Sequence, residues 1–250
     1  MTGTRLAGQT ILVTGAWQGI GRGTALALAK EGAHVALAGR TKAKCEVVAK
    51  EIEGFGGTAL AVGCDVTDRS QVDRAVAEVV EHFGGLTGLV NNAASSVQQP
   101  LEQVTDADVE LCWRSGAMGT LCGMQAALPH LRAAGGGSIV NFGSSTAVDG
   151  NATFGAYAMA NEAIRGLSRV AAREWGRYNI RLNVVVPVAM SPASVEFGEE
   201  HPERFEAVQK SLALRRVGDC ETDIGRAVVA LVSDDLSYMT VDTLMLTAGK

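Results

Sequence analysis

Two kinds of hydrophobic pattern alternate along the whole chain. Thr10–Thr14, His34–Ala38, Thr58–Gly63, Leu86–Val90, Ser138–Phe142, Ile180–Val186 and Thr243–Thr247 are short β-branched or apolar runs and predict seven strands. Between them, Gly21–Glu31, Lys42–Glu53, Asp68–Phe83, Asp106–Arg132 and Tyr157–Tyr178 carry helix formers with apolar positions three or four apart. Alternating strands and helices build a parallel sheet covered on both faces by right-handed crossovers. The expected fold is therefore α/β: a doubly wound, mostly parallel seven-stranded sheet with helices on both faces. Ligands of such sheets sit at the carboxyl ends of the strands.

No repeat, Pro-rich linker or low-complexity tract divides the 250 residues, so residues 1–250 read as one domain. The least regular stretch, about 188–214, holds Ser191-Pro192, an acidic run and His201-Pro202. It reads either as a substrate lid or as a solvated surface helix.

Composition narrows the function classes. A net charge of −5 gives no electrostatic footing for nucleic acid, and a small-molecule substrate is expected instead. Met1–Gln9 shows no basic-then-apolar leader, and nowhere do about 18 apolar residues run together, so the expectation is a cytoplasmic protein without a membrane partner. The five cysteines are widely spaced with no Cys-x-x-Cys, and read as reduced thiols rather than disulfides or zinc ligands. His34, His82, His130 and His201 stand apart from one another, so no metal is expected.

The first strand runs directly into Thr14-Gly15-Ala16-Trp17-Gln18-Gly19-Ile20-Gly21 and then into a helix. Glycines there let the backbone approach a pyrophosphate, whose charge is favoured by the helix N-terminus and its free N–H groups. Strand, glycine turn and helix in that order make Gly15, Gln18, Gly19, Ile20 and Gly21 candidates for holding a dinucleotide, in a Rossmann fold. At the end of the second strand, where an Asp would bind the ribose of NAD, the chain has Ala38-Gly39-Arg40. Arg40 can pair with a 2′-phosphate, so NADP(H) is preferred over NAD(H).

The glycine turn, Cys64-Asp65-Val66, Asn91-Asn92-Ala93-Ala94, Ser144, Tyr157 and Pro187 together resemble the short-chain dehydrogenase/reductase family over essentially the whole chain. The resemblance implies that Asp65 and Val66 flank the adenine, that the turn containing Asn92 and Ala93 supports the central strand and the cofactor, and that Pro187 to Ser191 borders the nicotinamide. It also implies hydride transfer between nicotinamide and a carbonyl or alcohol carbon, with Tyr157 passing the proton and Ser144 holding the oxygen. The helix after Tyr157 is small and apolar (Ala158, Ala160, Ala163, Ile164, Gly166, Leu167, Val170, Ala171), and in the family such helices join protomers, so a homotetramer or dimer is expected.

Two positions depart from the family pattern. Four residues after the tyrosine the family has a lysine, which supports the nicotinamide ribose and lowers the tyrosine pKa; here it is Asn161, which can do the first but not the second. The family asparagine that helps hold a relay water aligns with Gly116. Modular polyketide ketoreductases also show Tyr-x-x-x-Asn, but with a lysine at that second position. Arg114 and Arg165 are poorly placed to substitute. A tyrosine of pKa near 10 is ionised in roughly 0.1% of molecules at pH 7, a poor base but an intact acid. The expected activity is an NADP(H)-dependent reductase of a carbonyl or quinone-type molecule, with Ser144, Tyr157 and Asn161 at the reaction. The alternatives are a catalytically impaired family member acting as a cofactor-binding structural partner, and a non-redox enzyme on the same fold. Trp113, Phe154 and Phe197 read either as lining a substrate pocket or as core.

Overall fold

The structure is a computed structural model and describes residues 4–250; the reading of Met1–Gln9 lies partly outside that range. The seven strands form within two residues of the apolar runs: β1 Thr10–Thr14, β2 His34–Gly39, β3 Thr58–Gly63, β4 Gly88–Asn91, β5 Gly137–Phe142, β6 Ile180–Pro187 and β7 Thr243–Leu246. They pair in the order β3-β2-β1-β4-β5-β6-β7, and every pairing is parallel. Chain order reverses between β1 and β4, which opens a crevice at their carboxyl ends.

Helices α1 (Gly19–Lys30), α2 (Lys42–Gly54) and α10 (Arg226–Val232) cover one face of the sheet, and α3 (Arg69–Phe83), α5 (Gly119–Ala133) and α7 (Gly155–Trp175) the other. Successive strand residues serve opposite cores: Ile11 and Val13 pack with Leu28 and Val228, whereas Leu12 packs with Val76 and Met124. This is a single-domain α/β Rossmann fold.

Three stretches differ from the sequence pattern. The helix expected over Asp106–Arg132 is interrupted: α4 (Asp106–Trp113) runs into a π-turn over Arg114–Met118 before α5 begins. A π-turn inserts one residue without changing the apolar period enough to be legible. The 188–214 stretch is two short helices, α8 (Pro192–Glu200) and α9 (Pro202–Ser211), each opened by a proline at its first position. A four-residue helix, α6 (Ser145–Val148), and α10 were not expected.

Two polar networks tie helices to the sheet. Asn91 at the end of β4 donates to Asn141 on β5 (2.8 Å), which donates to Ser168 on α7 (2.9 Å), and Ser168 donates to the Ile164 carbonyl (2.7 Å). All three are buried and fix the register of α7 on the sheet. Arg181 on β6 donates to the carbonyls of Leu231, Ser233 and Leu236, closing the otherwise open carboxyl end of α10.

Candidate active site

A cavity of about 610 Å³ opens at the crevice. Its lining brings together Gly15, Gln18, Gly19, Ile20, Gly21, Arg40, Asp65, Val66, Asn92 and Ala93, residues drawn from four separate strand ends. The glycine turn is tight for steric reasons. Gly15 has φ +66°, and a Cβ on it would stand 2.9 Å from Asn92 Nδ2; a Cβ on Gly21 would stand 2.2 Å from the Gly15 carbonyl oxygen. Neither position accepts a side chain while the turn keeps this shape. Asn92 fastens the turn to β4, donating to the carbonyls of Thr14 (3.0 Å) and Gly15 (3.3 Å), while Thr14 Oγ1 accepts the N–H groups of Asn92 and Ala93. Gln18 caps α1 without any side-chain hydrogen bond, and the first turn holds no acidic residue. An uncapped helix end at a cavity, opened by a turn packed too tightly for a Cβ at Gly15 or Gly21, suits a dinucleotide pyrophosphate. Asp65 is held in its own turn, accepting from the N–H (2.9 Å) and hydroxyl (2.8 Å) of Thr67.

Ser144, Tyr157, Asn161 and Pro187 lie outside that lining, at the ends of β5 and β6 and on α7. Ser144 is the N-cap of α6; its oxygen accepts the Thr146 N–H (3.2 Å), which leaves its own proton free to be donated. Tyr157 packs on a small apolar cluster of Cys112, Ala156 and Ala160, with Val97, Val104 and Val109 beside it. Burial pushes the Tyr157 hydroxyl above its ordinary value of 10.0, and the facing side chains of Ser144 and Asn161, which favour the ionised form, do not offset it. Asn161 is buried and its Nδ2 donates to the Tyr157 carbonyl one turn back (2.9 Å). No cation reaches the phenol among the described residues: Arg114 is paired with Glu110 (2.8 Å) and Arg165 with both carboxylate oxygens of Glu162 (2.8 Å).

A family profile described as Enoyl-(Acyl carrier protein) reductase matches residues 15–250. A 12alpha-hydroxysteroid dehydrogenase of Clostridium sp. (strain ATCC 29733 / VPI C48-50) is 40% identical over 250 residues, covering 97% of this chain and 96% of that protein. The crystal structure of a putative short-chain alcohol dehydrogenase from Sinorhizobium meliloti 1021 superposes with a TM-score of 0.93 at 33% identity, over 98% of this chain and 96% of the other. The chain is a short-chain dehydrogenase/reductase. A levodione reductase of Leifsonia aquatica is 32% identical over 262 residues, 99% of this chain and 96% of that protein. Members of the family are oxidoreductases that bind nicotinamide cofactors, and the same class of enzyme is assigned here.

In this short-chain dehydrogenase/reductase several lining residues escape the sequence pattern: Trp17, Ser95, Leu111, Ser115 and Pro192. Trp17 is inside the glycine turn, where its position was the only available signal. Ser115 is turned into the cavity by the π-turn, while its neighbour Gly116 packs against α7, with its Cβ position 3.4 Å from the Ala160 methyl. Ser115 Oγ accepts the Ser95 N–H (2.9 Å) and donates to the Leu111 carbonyl (2.7 Å), tying α4 to the turn after β4. The three aromatics do not meet. Trp113 lines a separate hollow with Val66, Arg69 and Met118; Phe197 lies edge-on to His201; Phe154 alone neighbours Tyr157, at 6.3 Å between rings. Among the described residues no helix is long and apolar enough to cross a membrane.

Proposed function

We propose that this protein uses NADP(H) to reduce a carbonyl or quinone-type small molecule, with an atypical Tyr157-x-x-x-Asn161 pair. The observation that carries the direction is the packing of the phenol against an apolar cluster with no cation beside it among the described residues. Tyr157 is half-buried, burial raises its hydroxyl above 10.0, and no cation among the described residues offsets it. At neutral pH it holds a proton to give and cannot take one, which suits reduction and opposes alcohol oxidation. A nicotinamide held in this crevice would supply hydride to the acceptor carbon. Ser144, its proton free, donates to the acceptor oxygen and orients it; Tyr157 Oη delivers the proton that completes the alcohol. Asn161, anchored through Nδ2, keeps its carbonyl oxygen free to accept from a ribose hydroxyl.

For the cofactor, Gly39 and Arg40 at the end of β2 favour a 2′-phosphate. Gly15, Gln18, Gly19, Ile20 and Gly21 carry the pyrophosphate; Asp65 and Val66 flank the adenine; Asn92, Ala93 and Pro187 border the nicotinamide half. Residues 188–214 form the substrate-facing segment of a one-domain chain. The relatives named for a hydroxysteroid and for levodione make ring ketones and diones the first acceptors to test. Oligomer formation through α7 is also proposed: Ala160, Ile164 and Ala171 are spent on the parent core, but Met159 and Val170 are exposed and the space beside Gly166 is open.

The deciding experiment follows NADPH oxidation against steroid ketones, diones and quinones, with the turnover numbers of both directions measured at the same pH. Reduction outrunning oxidation at pH 7 is the expected result. Oxidation outrunning reduction would reject the proton-donor role. Tight cofactor binding with no turnover on any acceptor would favour the partner-protein alternative.

A further inference from the structure

The adenosine end of the cavity carries positive charge that the glycine turn and Arg40 do not account for. Trp17 lines the cavity beside Gly39 and Arg40, and its Cδ1 lies 3.5 Å from the position of a Cβ on Gly39. The ammonium of Lys44 lies over the indole, 4.1 Å from the ring centroid. A cation so placed on a tryptophan face is held there rather than left to sweep through solvent. Lys44 belongs to the first turn of α2 together with Lys42, and no acidic residue shares that turn. Cations at this end of a helix oppose its dipole, so the arrangement costs α2 stability instead of adding to it.

The protein leaves part of this charge without a counter-ion. Arg22 is paired with Glu51 and Lys42 with Glu78 (3.5 Å), but Arg40 and Lys44 meet no carboxylate among the described residues. In a chain of net charge −5, Arg40 in the cavity lining and Lys44 over the lining residue Trp17 leave two uncompensated cations at one cavity edge. A ligand dianion at that edge would repair both defects at once. A phosphate monoester carries between one and two negative charges at neutral pH, enough to engage two cations.

We propose that Lys44 is a specificity-determining residue for the cofactor 2′-phosphate, acting with Arg40, and that Trp17 is the positioning residue that holds the Lys44 ammonium at the cavity edge. This rests on the NADP(H) reading of the site. Arg40 supplies a planar fork and Lys44 a point charge, so the two engage different oxygens of one phosphate.

The test measures dissociation constants for NADPH, NADH, 2′,5′-ADP and 5′-AMP on the full chain by calorimetry, for the wild type, Lys44→Gln and Trp17→Leu. Expected are a roughly tenfold weaker NADPH and 2′,5′-ADP affinity in Lys44→Gln with NADH and 5′-AMP unchanged, and a smaller loss of the same kind in Trp17→Leu. Unchanged NADH binding also reports that the variants are folded. A wild type that prefers NADPH while Lys44→Gln keeps the full preference, or loses both cofactors equally, overturns the role of Lys44. A wild type that binds NADPH and NADH alike overturns the NADP(H) reading itself, and the assignment of Lys44 with it.

Discussion

Asn161 stands one helical turn beyond Tyr157, and its amide is committed to the Tyr157 carbonyl rather than to charge compensation. The pH behaviour follows from that. The raised phenol keeps its proton throughout the neutral range, so reduction should be flat from about pH 6 to 9, while oxidation should climb as pH approaches and passes 10. Rate profiles in both directions check this; a reduction limb that falls near pH 7 would contradict it. Replacing the amide by a cation tests the same physics from the other side. Asn161→Lys should lower the phenol pKa by about 1–3 units and raise neutral-pH oxidation about tenfold or more. The onset of the oxidation limb is the readout, since a mere packing change would alter the rate without moving it.

Helices and strands are placed by contacts that a single residue can break. Gly23 on α1 lies against the π-turn over Cys220–Gly225, and a Cβ there would come 2.5 Å from the Cys220 carbonyl carbon. Backbone cannot yield as a side-chain tip can, so Gly23→Ala should destabilise the protein by about 1–3 kcal/mol and weaken cofactor binding by displacing the glycine turn with α1. Thermal melting with and without NADPH separates the two effects. Arg181 presents a comparable test on the other edge. Arg181→Leu removes the donors from the carbonyls of Leu231, Ser233 and Leu236, and a loss of roughly 2–3 kcal/mol is expected by urea unfolding.

For the whole molecule, the cavity joins segments from four strand ends, so a ligand that fills it stabilises the fold by linkage. NADPH at about 100 times its dissociation constant should add roughly 2.7 kcal/mol, and NADH at the same concentration less; melting curves at matched concentrations check both. The seven strands, their parallel pairing and the glycine turn are legible in the sequence, because apolar runs, a 3.6-residue period and a strand–glycine–helix succession are local properties of the chain. Ser144, Tyr157 and Asn161 are proposed from spacing and resemblance, and the structure adds the burial that raises the phenol. What only the tertiary structure decided depends on distance across the fold. The π-turn that faces Ser115 inward leaves no trace in periodicity, and Trp17 meets Lys44 only because β1 and β2 are neighbours. Arg181 caps a helix some fifty residues further along the chain. Local pattern sets which elements form, but the charge and solvent at Tyr157 are set by side chains that the sheet order brings together.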